Sequence, residues 1–482
     1  MPDFHGNPMI IQGGMGAGVS SWRLARSVSE LGQLGVVSGT AIDQILARRL
    51  QDGDPGGHMR RALDRFPFPG MAERIWQRYY VAGGKPAGES YQTLPMQAKE
   101  NPRELQELCI AANFVEVVLA REGHDNPIGI NYLEKIQIPH LPSLYGAMLA
   151  GVDYVLMGAG VPVKIPGVLD RFVEHELATY PLYVAGAADG DDTTITFDPR
   201  DFVECELPPL ARPKFLAIVS SNTLAATVLK KANGKVDGFV IEGPSAGGHN
   251  APPRGRLQVD EAGEPIYGER DKVDLEKIRG LGLPFWLAGG YGRPEKLREA
   301  LAAGACGIQV GTAFAFCEES GLRDDYKQAV LAKIAAGEAL VLTDVLASPT
   351  GYPFKVVQLE ETLSEPELYE ARPRICDLGY LREAYKAPDG AVGFRCPAEP
   401  VNLYVAKGGR IEDTVGKKCV CNALMATIGQ PQVRKGNLIE LGLVTSGSSL
   451  NDVKRFMPHD GSAYKAADVI ATLLNGGPEW RS

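Results

Sequence analysis

Eight short, nearly uninterrupted apolar runs alternate with helical stretches over the first two-thirds of the chain, and this pattern predicts an α/β fold, a (β/α)8 TIM barrel. The runs lie at residues 9–13, 34–39, 127–132, 152–157, 215–220, 236–242, 285–289 and 307–311. Continuous rather than alternating apolarity marks parallel strands covered on both faces. Strand–helix alternation with short connections gives βαβ units. Eight such units fit a closed barrel better than an open sheet, although a doubly wound sheet is the structural alternative. Glycine supplies a further observation. It makes up 56 of 482 residues, above the usual ~7%, and many glycines follow predicted strands, where backbone approaches a ligand closely.

The helices between these runs have readable ends. Asn101 is placed to cap a helix with Pro102 at its first position and Glu104 in its first turn. Leu105, Leu108, Ala112, Val115 and Leu119 follow at helical spacing. Pro294 opens a helix over 295–303 that Gly304 closes, and a third covers 322–336 before Gly337. Residues 180–185 form a candidate ninth extended piece. Residues 40–126 are too long for one βα connection and carry Pro/Gly clusters (GDPGGH, FPFPG, AGGKPAGES) between helical stretches. They are expected to be a long helical insertion after the second strand that covers the active-site end. The chain divides accordingly into a barrel (1–39 and 127–337), the insertion (40–126) and a smaller C-terminal region (338–482) packed on the barrel.

Composition narrows the function classes. Hydrophobic residues are 44% and charged residues 23%, close to the globular average. The formal charge of −9 argues against nucleic acid or an anionic membrane surface as partner. No run reaches the ~18 apolar residues of a membrane span, and the first residues lack a signal-peptide pattern. The expectation is a cytoplasmic protein acting on a small molecule, and its oligomeric state is not legible. In a reducing compartment the eight cysteines are thiols or metal ligands.

The strongest local signal is VDGFVIEGPSAGGHN at 236–250. A strand runs into Gly243, then Gly247, Gly248 and His249. Barrel active sites sit at the carboxyl ends of strands. His249, after two glycines that admit a flat ligand, is a candidate proton donor or base near neutral pH; a histidine that merely closes a turn is the plainer reading. The same stretch matches G-x-S-x-G, but a serine-hydrolase elbow needs a helix directly after the serine, and Gly-Gly-His-Asn-Ala-Pro-Pro cannot start one. The second signal is LAGGYG, a helix, then GIQVGTAF. These are two consecutive glycine-rich strand ends at the seventh and eighth strands, where barrels hold phosphate groups on backbone amides. The third is Gln12-Gly13-Gly14-Met15-Gly16-Ala17-Gly18. It fails G-x-G-x-x-G because Val19 stands in the last glycine's place, so its glycines are expected to let backbone lie against a planar ring.

Taken in order, IIQGGMGAGVS, LGQLGVVSGTA, GIN, VDYVLMGAG, IEGPSAGGH, LAGGYG and GIQVGTAF resemble the nitronate monooxygenase (2-nitropropane dioxygenase) family, which includes FMN-dependent enoyl reductases of polyunsaturated fatty acid synthesis. The resemblance spans roughly residues 8–40 and 126–355. It implies an FMN-binding barrel. Gly289, Gly290, Gly311 and Thr312 would take the phosphate. Gly13, Gly14 and Met15 would back the isoalloxazine, Asn131 would bind its edge and Gln12 would reach the same ring. Gly247 and Gly248 would border it, with His249 over the reactive face. The implied activity is oxidation of alkyl nitronates with O2. The alternatives are an NAD(P)H-dependent enoyl-thioester reductase and a non-catalytic flavin- or metal-binding partner of a synthase. The first loop departs from the family's Pro-Met-Ala-Gly, reading Gly14-Met15-Gly16-Ala17. The insertion and the C-terminal region look more like the long enoyl reductases.

Cys376, Cys396, Cys419 and Cys421 form the last cluster. Cys419 and Cys421 would share one side of an extended segment, with Asn422 starting a helix whose N-terminus, with Lys417 and Lys418, favours thiolate. Four cysteines can hold zinc or an iron–sulfur cluster, but this spacing is neither a zinc ribbon nor a ferredoxin, and free thiols are the alternative. His5, His58, His124, His140, His175 and His459 show no paired ligand spacing. Lys355, in SPTGYPFK, is placed to return toward the flavin or to be solvated. Asp324–Asp325 reads as a helix's wet face.

Overall fold

The computed structural model describes residues 6–436, 438–459 and 461–475; His5 lies outside them. Eight parallel strands form one sheet: β1 (Ile10–Gln12), β2 (Gly35–Ser38), β3 (Ile128–Leu133), β4 (Tyr154–Gly158), β5 (Lys214–Val219), β6 (Gly238–Glu242), β7 (Phe285–Ala288) and β8 (Gly307–Val310). Their spatial order is β1-β8-β7-β6-β5-β4-β3-β2. A parallel bridge between Ile11 and Leu34 closes the ring. The Leu34 N–H donates to Ile10 O, and the Gln12 N–H donates to Leu34 O.

Period two explains how continuous apolar runs serve both faces. Val36, Leu156, Leu216, Val240 and Trp286 belong to one buried cluster inside the cylinder. Their neighbours Val37, Val155, Ala217, Ile241 and Leu287 join the larger core between strands and helices. The Trp286 indole donates to Pro8 O (2.8 Å), fastening the floor. Close packing demands glycine at Gly307, where a Cβ would lie 2.0 Å from Met9 O.

The segment between β2 and β3 holds four helices: Ile42–Gln51, His58–Leu63, Pro69–Tyr79 and Arg103–Ala120. The last is the barrel's own crossover helix, packed between Trp22–Glu30 and His140–Leu149. It is buried almost all round from Glu107 to Ala120 because the three preceding helices cover its outer face. Asn101 does not cap it. Pro102 takes the cap position, and the Asn101 carboxamide accepts the Ala98 N–H instead. The third expected helix starts at Asp324, with Asp324 exposed and paired to Lys327. The extended piece near 180 lies outside the barrel. Ala178–Pro181 pairs antiparallel with Thr194–Phe197, and Val184–Ala185 pairs parallel with Glu383–Lys386.

The C-terminal region is tied to the barrel and the insertion at several points. Strands Val341–Asp344 and Phe354–Val357 form an antiparallel pair. The Arg293 guanidinium donates two bonds to Asp452 (2.7 and 2.8 Å). Arg48 donates to Gln430 O (2.6 Å), and the Tyr380 hydroxyl donates to Asp43. Helix Ala466–Asn475 packs on Trp22–Glu30 and Pro294–Ala302. Among the described residues, no helix is long and apolar enough to cross a membrane.

Candidate active site

A cavity of about 510 Å³ opens at the carboxyl ends of the strands, where barrel sites are built and within the usual range for small-molecule sites. Gly13, Gly14 and Met15 line it from the β1 exit, Asn131 from β3, Gly247, Gly248 and His249 from the β6 exit, and Gly289, Gly311 and Thr312 from β7 and β8. Gly290 lies just outside, in a cleft with Ser245, Ser449, Gly311 and Thr312. The structure thus brings residues of all three glycine-rich motifs to one mouth.

The glycines are there because side chains do not fit. Gly14 packs on Asn131, whose Cβ would meet a Cβ at 2.3 Å. Gly289 has φ +86° and Gly290 φ +75°, conformations that L side chains rarely adopt. A Cβ on Gly289 would also lie 2.8 Å from Gly243 O. Among the described residues, no backbone acceptor takes the amides of Gly290 and Thr312. Thr312 opens the short helix Thr312–Ala315. Its hydroxyl accepts the Gly447 N–H (2.9 Å). The donor set suits a phosphate-bearing group, and the flat glycine walls suit a planar ring.

Gln12 is not part of this lining. It is fully buried; its amide nitrogen donates to Ser20 Oγ (2.8 Å) and its oxygen accepts the Val36 N–H (3.0 Å). It shapes the loop from behind. Met15 N also donates to Ser20 Oγ (2.8 Å).

His249 is held from the C-terminal region. His249 and Phe354 form an antiparallel bridge, the Lys355 N–H donates to Gly248 O (3.0 Å) and the Asn250 N–H donates to Pro353 O (2.9 Å). The ring leans on Phe354, with centroids 4.6 Å apart. Nε2 sits 2.6 Å from the fully buried Ser348 Oγ, which is 2.8 Å from Thr350 Oγ1. Burial, helped by the positive Lys135, pushes the imidazole down to about 3. His249 is therefore neutral at pH 7, and the expectation of a group titrating near neutrality is corrected. Desolvation is the reason. Lys355 is neither in the cavity nor solvated. It is buried, and its Nζ donates to Thr343 Oγ1 (2.7 Å).

The group that does titrate near neutrality was missed. Glu242, the last residue of β6, lines the cavity, and burial pushes its carboxyl up to about 7. Strand parity carries the signal. Val240 faces the barrel interior, so Glu242, two residues on, faces the mouth. Gln309 follows the same rule on β8; it lines the cavity with its buried Oε1 unpartnered. Thr445, Ser446 and Gly447 also line it, and no local feature of TSG marked them.

Cys376, Cys396, Cys419 and Cys421 do meet, around a cavity of about 10 Å³, as free thiols. The local geometry differs from expectation. Cys419 caps the helix Val420–Thr427, so Cys421 sits in its first turn and the extended segment does not form. Burial pushes the Cys376 thiol up to about 12 and raises those of Cys396 and Cys421, which opposes thiolate. Among the described residues, no three or more His, Cys, Asp or Glu side chains are arranged to hold a metal ion.

Ser245 does not form a hydrolase elbow. The loop turns through an Ala246 N–H to Gly243 O bond, and no helix follows.

Comparison with known proteins agrees with the resemblance. Residues 206–358 match the family model described as nitronate monooxygenase. The chain is 31% identical to the nitronate monooxygenase of Pseudomonas aeruginosa over 200 residues, 41% of this chain and 52% of that protein. It is 32% identical to a probable nitronate monooxygenase of Bacillus subtilis over 24% of this chain and 31% of that one. The chain thus spans about half, and about a third, of these relatives. Among solved structures, FabK from Thermotoga maritima is 17% identical with a TM-score of 0.46, covering 97% of this chain and 92% of that one.

Proposed function

We propose that this protein is an FMN-dependent oxidoreductase that oxidises alkyl nitronates with O2. The observation that carries the reading is His249, a neutral imidazole braced by Ser348, lining one cavity together with the β7–β8 glycine cradle. Gly289, Gly290, Gly311 and Thr312 would hold the phosphate, Gly13, Gly14 and Met15 the ring's back, and Asn131 and the orphaned Gln309 oxygen its polar edge. Bound there, FMN supplies the electron acceptor.

The chain's own residues do the rest. A nitronate arrives as an anion. A neutral imidazole offers its oxygens a hydrogen bond without having to lose a proton, and Ser348 fixes the ring. Arg254, which also lines the cavity, favours negative charge there. Below about pH 7 the Glu242 carboxyl carries its proton and does not repel the substrate.

One observation favours a second reading, NAD(P)H-dependent reduction of an enoyl thioester. Nitronate oxidation needs no general acid, whereas protonation of an α-carbon does, most efficiently from a group with a pKa near the working pH, and burial raises the Glu242 carboxyl to about 7. Anaerobic titration of the FMN-loaded protein separates the two. Bleaching by nitronate alone supports the first reading and bleaching by NADH or NADPH alone the second. Protein that cannot be loaded with FMN sinks both.

A further inference from the structure

The turn Ser348–Gly351 lies between strands Val341–Asp344 and Phe354–Val357 and carries the hydrogen-bond partner of His249. The Gly351 N–H closes it on Ser348 O (3.2 Å), with Gly351 at φ +76°, where glycine is favoured. Within the turn the Thr350 N–H donates to Ser348 Oγ (3.2 Å). The preceding residues are anchored by Asp344, whose carboxylate accepts the N–H groups of Leu346 and Ala347 (2.8 and 3.0 Å).

Two half-buried lysines donate to the carbonyls of this turn. Lys135, from the connection after β3, reaches Thr350 O with Nζ (3.2 Å) and lies 3.2 Å from the centre of the Tyr352 ring. Lys417, just before the helix Val420–Thr427, reaches Ser348 O (3.0 Å). Among the described residues, neither ammonium has a salt-bridge partner; Glu134 acts on Lys135, and Asp344 and Asp413 act on Lys417, at longer range. Burial lowers both lysines, Lys135 to about 8, so Lys135 still carries its proton at pH 7. Burying charge against neutral carbonyls costs free energy, and a glutamine amide makes the same kind of bond without that cost. The charges therefore indicate a role beyond holding the turn.

That role lies at the imidazole. A neutral histidine has one N–H and one bare nitrogen, and its surroundings decide which is which. The 2.6 Å bond between Nε2 and Ser348 Oγ can run in either direction by hydrogen count, because Ser348 Oγ has a second hydroxyl partner in Thr350 Oγ1 at 2.8 Å. Electrostatics breaks the tie. The bare nitrogen is the negative end of the imidazole dipole and is favoured on the side that bears positive charge. That side is the turn, where both ammonium groups sit. The Lys135 charge also opposes protonation of His249. The other charged side chains lining the cavity, Glu242 and Arg254, make no bond to the ring among the described residues.

We infer that Lys135 and Lys417 are positioning residues that set the tautomer of His249. They make the Ser348–Gly351 turn positive, so that Nε2 is bare and accepts from the Ser348 hydroxyl while Nδ1 carries the hydrogen offered to a ligand. This rests on the oxidoreductase reading, in which an N–H meets the substrate's head. One ammonium comes from the barrel and one from the C-terminal region, so the tautomer depends on both.

The test reads the tautomer directly. Histidine labelled with 15N in both ring nitrogens is incorporated into the whole chain, and the His249 signals are identified by their loss in His249→Ala. At pH 7 the wild type, as purified and after FMN loading, is expected to show a protonated Nδ1 and a bare Nε2. A Lys135→Gln/Lys417→Gln double variant keeps neutral donors but loses the charges, and a mixture of tautomers is expected. Its kcat should fall about five- to tenfold with KM within about twofold and the flavin spectrum unchanged. Lys135→Arg/Lys417→Arg, which keeps the charges, should restore the wild-type tautomer. A wild type protonated at Nε2, or a glutamine double variant with the wild-type tautomer, overturns the inference. If the double variant does not fold, the single variants Lys135→Gln and Lys417→Gln are read in the same way. The expected tautomers without turnover of any nitronate or enoyl thioester overturn the functional reading and leave the assignment of the two lysines in place.

Discussion

Two regions of this molecule are dense in residues that carry chemistry, and the structure uses them in opposite ways. At the strand ends, glycines and His249 meet in an open cavity of about 510 Å³. In the C-terminal region, four cysteines meet around about 10 Å³, with three of the thiols raised by burial. The first set leaves backbone amides and flat surface for a ligand. The second turns reactive atoms toward one another and away from solvent. Density of functional residue types is therefore a weak signal; what matters is whether the local backbone leaves room beside them.

The comparison predicts where damage is greatest. Gly289→Val places a Cβ 2.8 Å from Gly243 O at φ +86°, and it is expected to abolish flavin loading, read as loss of visible absorbance after reconstitution. His249→Ala is expected to keep the flavin and lower turnover by about 10²–10⁴-fold, the usual range for a proton or hydrogen-bonding catalytic group, measured by anaerobic stopped-flow. Full activity in that variant removes the role assigned to the imidazole. Glu242 gives a pH signature. Its carboxyl ionises as pH rises through about 7 and then repels an anionic substrate, so KM for a nitronate should climb above that pH. In Glu242→Gln the climb should vanish. Ser348→Ala removes the partner that orients His249, a positioning effect of about five- to tenfold on kcat, with the flavin spectrum unchanged and partial rescue by Ser348→Thr. The smallest effect is expected from Cys376→Ala, with turnover within about twofold of wild type. If that variant instead loses bound iron or zinc together with activity, the contrast between the two regions fails.

The barrel strands were legible to within a few residues. Continuous apolarity bounded by glycine is a local signal, and burial on both faces of a parallel sheet is its direct cause. The strand-end glycines were legible for the same reason, since topology alone decides that carboxyl ends converge. Glu242 and Gln309 are readable from strand parity alone, since each follows an interior-facing position by two residues or faces inward beside an outward one, but they carry no motif of their own. Thr445–Gly447 had no local signature. It reaches Thr312 only through tertiary folding. Gln12 was misplaced because a strand-terminal polar residue serves equally well behind a loop, where it bonds Ser20 and Val36. The titration of His249 and the geometry of Cys419 and Cys421 depend on burial and on where a helix begins, neither of which spacing alone determines.

The bridge from His249 to Phe354 and the bond from Gly447 to Thr312 have a consequence for biosynthesis. The pocket draws on Gly13 early in the chain and Gly447 late in it. A nascent polypeptide carrying every barrel stave would still lack a finished seat for the proposed flavin. Acquisition of colour during translation or refolding should therefore report completion of the whole chain's fold, not of the cylinder alone.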